Sequence, residues 1–161
     1  MPLVVPILPV RGRIAVLPSP DGRIVSGLSV TFAVEVVVEG RPGQTDLLRL
    51  DTGAACSSMS LARAERLGLL RDTDTIAEAV VRTAGTGAKS TSVRLGRLPV
   101  RIPAVRDEPF EWPVLFHKSW PETHPTLLGL PGVVADLEIR FDGAPTLASE
   151  FGTVTLTPRT S

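Results

Sequence analysis

Leu48-Arg49-Leu50-Asp51-Thr52-Gly53-Ala54 is the stretch of this chain that decides its fold. An apolar strand delivers a carboxylate onto a tight turn, and the turn closes on a residue with no side chain. Working outward, Ala54 to Met59 is a small and apolar segment without proline, suited to a second strand. The period then changes from two to nearly four. Ser60 can cap a helix carrying Leu61, Ala62, Ala64 and Leu67, and Gly68 can stop it. Upstream, Leu28, Val30, Phe32, Val34, Val36 and Val38 alternate with Ser29, Thr31, Glu35 and Glu39, the mark of a half-buried strand. Pro20-Asp21-Gly22 and Gly40-Arg41-Pro42-Gly43 bracket that strand with turn chemistry.

Downstream the alternation returns through Ile76, Val80 and Val81, turns at Gly85-Thr86-Gly87 and resumes at Val93 and Leu95, which predicts a hairpin with a flexible tip. Leu98, Val100 and Ile102 alternate with Pro99, Arg101 and Pro103, so a strand near a sheet edge is expected there, with its arginines in solvent. Pro113 to Phe116 reads as a strand and Lys118 to Thr126 as a loop. Leu127-Leu128-Gly129 follows, then a short helical stretch at Val133 to Asp136, a strand through Leu137, Ile139 and Phe141, and a last strand from Phe151 to Leu156. Many short strands and one or two short helices predict an all-β barrel or sandwich.

Composition narrows the function classes. With 161 residues and 43% hydrophobic side chains the chain has one domain and a real core. Its 17 basic and 17 acidic side chains cancel, so no summed field draws in nucleic acid, a membrane surface or an acidic substrate. Cys56 is the single cysteine and the N-terminus lacks a signal-peptide pattern, so a cytoplasmic protein is expected. Pro2, Pro6 and Pro9 break the apolar start, and no stretch suits a bilayer. Only Lys89 and Lys118 are lysines and Asn and Tyr are absent, a bias that GC-rich bacterial genomes share.

An acid placed as Asp51 is placed can share one proton with a second acid, because two like charges in close contact in a dry site cannot both ionise. The charged member can take a proton from water while the neutral one protonates the carbonyl oxygen under attack. That is the chemistry of peptide hydrolysis without a covalent intermediate.

The Leu48 to Ala54 segment, the Ser57-Ser58-Met59-Ser60 strand and the Leu61 to Gly68 helix together resemble the active-site half of retropepsins, the retroviral-type aspartic peptidases. The hairpin tip Gly85-Thr86-Gly87 is similar to the flap of that family, and Leu127-Leu128-Gly129 to the apolar pair and glycine that brace its active-site loop. The resemblance spans roughly residues 28 to 157. It implies a closed retropepsin-like β-barrel, homodimeric, that hydrolyses peptides without a cofactor or metal. Asp51 would be the catalytic acid or base, Thr52 would reach across the dimer axis, and Gly53 would let the loops approach, while Ala54, Leu127, Leu128 and Gly129 would join the flap residues in binding substrate. Gly85, Thr86 and Gly87 would open and close over substrate.

Only one Asp-Thr-Gly occurs, since Asp21-Gly22 and Asp142-Gly143 lack the hydroxyl residue between them. The second carboxylate must therefore come from another chain, through a two-fold axis. The family's interleaved terminal strands would be Leu3 to Val10 and Thr153 to Leu156, with residues 1–22 as an arm or interface strand and 23–161 as the peptidase domain. Leu130 and Pro131 depart from the charged or amide pair of the viral enzymes, and the flap has fewer glycines.

Other motifs weigh less. Gly85 to Thr91 mimics a phosphate loop, but Ala88 stands where glycine is needed. His117 and His124 have no cysteine or paired carboxylates at ligand spacing, so they read as structural or solvated. Cys56 reads as a small core residue, Trp112 and Trp120 as packing residues, and Arg94, Arg97, Arg101 and Arg106 as a solvated strand face. The alternatives to a peptidase are a catalytically silent dimeric domain that binds an extended peptide or mediates assembly, and a monomeric barrel for a small molecule.

Overall fold

A computed structural model describes residues 2–9, 15–18, 24–27, 30–31, 33–38, 45–50, 54–83 and 87–160. In chain order they form β1 (Leu3–Pro6), β2 (Leu8–Pro9), β3 (Ala15–Pro18), β4 (Ile24–Gly27), β5 (Val30–Thr31), β6 (Ala33–Val38), β7 (Thr45–Leu50) and β8 (Ser57–Ser60). Next come α1 (Leu61–Leu67), β9 (Thr75–Thr83), β10 (Gly87–Ile102), β11 (Arg106–His117), β12 (Thr126–Leu128), α2 (Leu130–Asp136), β13 (Leu137–Asp142) and β14 (Thr153–Pro158). None of the described helices is long and apolar enough to cross a membrane.

Seven strands pair in the order β11-β8-β12-β7-β6-β10-β9, and this sheet folds back on itself where β10 also pairs with β11. β1, β14 and β13 form a second sheet, while β2 with β5 and β3 with β4 form small ribbons. The fold is thus mainly β with two short helices, but the described strands lie in four sheets rather than in the single closed barrel expected. The long strand β10 explains the split: its first half pairs with β9, its second half with β11, and it meets β6 only at Val100 and Arg101.

That pairing also corrects the edge expected at Leu98 to Ile102. Leu98 lies opposite Trp112 and Val100 between Phe110 and Val38, so the segment is central. Pro99 is tolerated because the β6 pairing starts one residue later. The arginines follow suit. Arg97 is exposed and donates to the Glu111 carbonyl at 3.1 Å, Arg101 is half-buried, and the Arg106 guanidinium sits 3.7 Å from the centre of the Phe110 ring.

One core joins both large sheets and both helices. Leu48, Met59, Leu98, Val100, Phe110, Trp112, Phe116, Val133, Leu137 and Val154 are buried in it. Full burial of Phe110 and Phe116 stabilises the fold by about 3 kcal/mol each. Trp112 can sit there because its indole N–H donates to the Asp136 carboxylate at 2.8 Å, leaving no unpaired donor inside. The α1 helix forms as its sequence predicts: Ser60 accepts from the Arg63 N–H, and Gly68 ends it at φ 70°, where a side chain would be strained. In α2, Pro131 and Gly132 leave helical geometry, so the regular turn is Val133 to Asp136.

Candidate active site

The described residues hold the loop at 51–53 by both ends. β12 lies between the two strands that flank this loop, parallel to β7 on one side and antiparallel to β8 on the other. Leu128 stands opposite Leu50, and Leu127 opposite both Arg49 and Ser58. Beyond β12 the clasp continues, with the Gly129 N–H donating to Ser57 Oγ at 3.2 Å and the Leu130 N–H to the Ala54 carbonyl at 3.4 Å. Gly129 is required by contact, not by its backbone angles: a Cβ there would lie 2.4 Å from the Cys56 carbonyl carbon. Leu50 and Leu128 are buried, so the strand that enters the loop and the strand that braces it share one apolar seam.

Asp51, Thr52 and Gly53 themselves lie outside the described residues, as do Gly85 and Thr86 of the hairpin tip. Gly87 opens β10 opposite Thr83, which makes β9 and β10 the two arms of the expected hairpin. Its arms are also tied by side chains, because Ser90 and Ser92 both donate to the Glu78 carboxylate across the pair. Ala54, Leu127, Leu128 and Gly129 are brought together in the clasp just described.

At the start of β7 stands an ion pair that the sequence reading did not single out. Asp46, buried at the start of β7, accepts from Arg63 on α1 at 2.6 Å and from the Thr126 hydroxyl on β12 at 3.1 Å. Arg63 also donates to the His124 carbonyl at 2.9 Å. One carboxylate thus ties β7, α1 and β12 together. Residues 17 and 80 positions away from Asp46 meet it only after folding, so no spacing signals the network. Asp46→Ala leaves the guanidinium without its buried partner, and a loss of about 3 kcal/mol of folding stability is expected in urea titration. Paired replacement of Asp46 and Arg63 by leucine and methionine should cost less than the single change, because no orphan charge remains.

Cys56 is half-buried beside this clasp, its thiol 3.7 Å from the Pro113 carbonyl. Burial pushes the thiol up from its ordinary range, against a smaller lowering by the Ser57 backbone. It is therefore a poor nucleophile, in keeping with a packing residue. Trp112 is a core residue, and Trp120 packs between two histidine rings.

A solved structure is similar in overall fold. A retropepsin-like aspartic protease from Rickettsia conorii matches 97% of this chain and 89% of its own, at a TM-score of 0.55 and 14% identity. The fold is retropepsin-like. At such low identity the likeness speaks for the fold and not for the chemistry. No family model matches the sequence, and no curated protein matches it. Within this fold, β12 pairs with the strands on both flanks of the 51–53 segment.

Proposed function

We propose that this chain is one half of a homodimeric aspartic endopeptidase in which Asp51 of each subunit supplies one carboxylate. The observation that carries this reading is the clasp of β12 and Gly129 around the flanks of the only Asp-Thr-Gly in the chain, within a retropepsin-like fold. A carboxylate used for proton sharing has to be positioned to within a fraction of an ångström, and strands positioned by a buried seam do this better than a free loop.

In this proposal the two Asp51 carboxyls share one proton. The charged one removes a proton from a water whose oxygen bonds to the peptide carbonyl carbon, and the neutral one protonates the carbonyl oxygen. The gem-diol intermediate then collapses: the amide nitrogen takes the dyad's proton, one gem-diol hydroxyl returns its proton to a dyad carboxylate as its C=O forms, the C–N bond breaks, and an acid and an amine leave. Thr52 and Gly53 hold the paired loops, and Gly85, Thr86 and Gly87 close over an extended substrate that pairs through its backbone. Residues 23–161 form the peptidase domain, and the arm at 1–22 contributes to the interface. The second sheet supports that role, since the arm's β1 pairs with β14 and the sheet ends in edges at β1 and β13.

Incubation with an unbiased peptide mixture, from acidic to neutral pH, with solution mass measured alongside, tests the proposal. Cleavage by a dimer is expected. A well-folded dimer that cleaves nothing at any pH would leave the second reading, a catalytically silent dimeric domain that binds an extended peptide or mediates assembly.

A further inference from the structure

His117 ends β11 and is 1% exposed. Its ring stacks on Trp120 at 4.3 Å between centres, and Trp120 in turn stacks on His124 at 4.0 Å, so an indole lies between two imidazoles. His117 Nε2 is 3.3 Å from Ser58 Oγ, and among the described residues its Nδ1 has no hydrogen-bond partner. A neutral ring tolerates this, with Nε2–H donating to Ser58 and Nδ1 left as a bare acceptor. A protonated ring does not, because it needs acceptors for two N–H groups and finds only one.

Among the described residues no carboxylate is paired with the ring, and the Trp120 indole face is the one group there that favours the charge. β8 contributes only Ser57, Ser58, Met59 and Ser60, and β10 places Val93 opposite. From the loop come exposed Lys118, His124 across the indole, and Glu122, which Arg66 engages. From α1, Glu65 is exposed and Arg63 is bound to Asp46 and to the His124 carbonyl. The same stack is wired to the clasp. Ser58 stands opposite Leu127 of β12, and Ser60, the cap of α1, donates to the Trp120 carbonyl at 3.0 Å.

We propose that His117 is a built-in acid sensor: its protonation loosens the Ser57–Ser60 strand and with it the brace of the 51–53 loop. In the peptidase proposed above, on which only the purpose of the device rests, this sets an acid limit on the working site and makes His117 a positioning residue. Burial holds the imidazole below its ordinary range, and the charge of His124 pushes the same way. The sign follows. Above about pH 6.5 both folded and unfolded chains carry a neutral ring and nothing is lost. As pH falls through that value the unfolded chain takes up the proton and the folded chain resists, so stability declines toward the folded-state value.

Amide hydrogen exchange at 57–60 and 127–129, corrected for intrinsic rate, should show protection falling severalfold between pH 7.5 and pH 5 in the wild type. In His117→Gln protection should be flat over that range, while His124→Gln should keep most of the fall. An unchanged wild type, or an equal fall in His117→Gln, overturns the proposal. Should His117→Gln not fold, nuclear magnetic resonance of the wild type decides. A His117 midpoint below 6.5 that moves the Ser58 and Leu127 amides with it is expected, and an ordinary midpoint with silent amides overturns the proposal. None of these measurements uses peptide cleavage, so a chain that cleaves nothing can still pass or fail them.

Discussion

Asp51→Asn is expected to abolish peptide cleavage, by about a thousandfold or more, while the protein stays folded and dimeric. General acid and base steps each contribute about 10²–10⁴ in rate, and in a symmetric dimer one substitution removes both groups. Asn keeps the shape of the side chain and can still accept and donate hydrogen bonds at the loop, so the loss reports chemistry and not architecture. Stability should hold or rise slightly, because the dyad's like-charge repulsion disappears. A mixing experiment adds a second reading of the same variant. If each site takes one Asp51 from each subunit, equal mixing with subunit exchange lowers activity per wild-type subunit by about half, since only dimers of two wild-type chains work. Activity per wild-type subunit that ignores the added variant would show a site built from one chain, and cleavage retained in pure Asp51→Asn would remove the carboxylate from the mechanism.

Gly129→Ala should be among the most damaging single-methyl changes in the chain. The added carbon would meet the Cys56 carbonyl carbon at 2.4 Å, its oxygen at 2.7 Å and the Ser57 nitrogen at 2.8 Å, all of them backbone. No rotamer change relieves a clash with main chain, so β12 and the 54–57 segment must separate, stretching the bond from Gly129 to Ser57. A loss of about 3 kcal/mol is expected, at the upper end of overpacking costs. Gly143→Ala is the control: a Cβ there meets nothing within 4 Å, and the change should stay within about 0.5 kcal/mol. Urea unfolding of both variants at one fixed protein concentration, as the proposed dimer would require, compares them. Equal midpoints for the two would mean that the clasp yields easily and is not what holds the loop.

Both predictions turn on the same short stretch, and the two ends of that stretch were legible to different degrees. Leu61 to Leu67 is a helix with the cap and stop that Ser60 and Gly68 announce, because capping is chemistry between residues a few positions apart. β7, β13 and β14 likewise appear where alternation and turn residues place them. Leu98 to Ile102 was misplaced at an edge because Pro99 signals a missing donor without saying which side of the strand lacks a partner. Val93–Leu95 and Leu98–Ile102 read as two strands, yet β10 runs unbroken through Gly96, whose bare Cα lets the Asp74 side chain and the Phe116 ring approach, with a Cβ there 2.4 Å from Asp74 Oδ1. His117 read as structural or solvated, and its burial and its orphan nitrogen depend on β8, β10 and the loop at 118–125 arriving together.

By itself, then, the sequence determined what is local: the alternating strands, the capped helix, the turns, and the single Asp-Thr-Gly and Leu-Leu-Gly motifs. Each of these rests on interactions within a few residues, which a linear pattern can carry. The tertiary structure alone decided that β12 lies between β7 and β8, that Gly129 touches the Cys56 backbone, and that Asp46 meets Arg63 and Thr126. These are contacts between residues tens of positions apart, selected by how buried surfaces fit and how buried polar groups find partners, and no spacing in the chain encodes them.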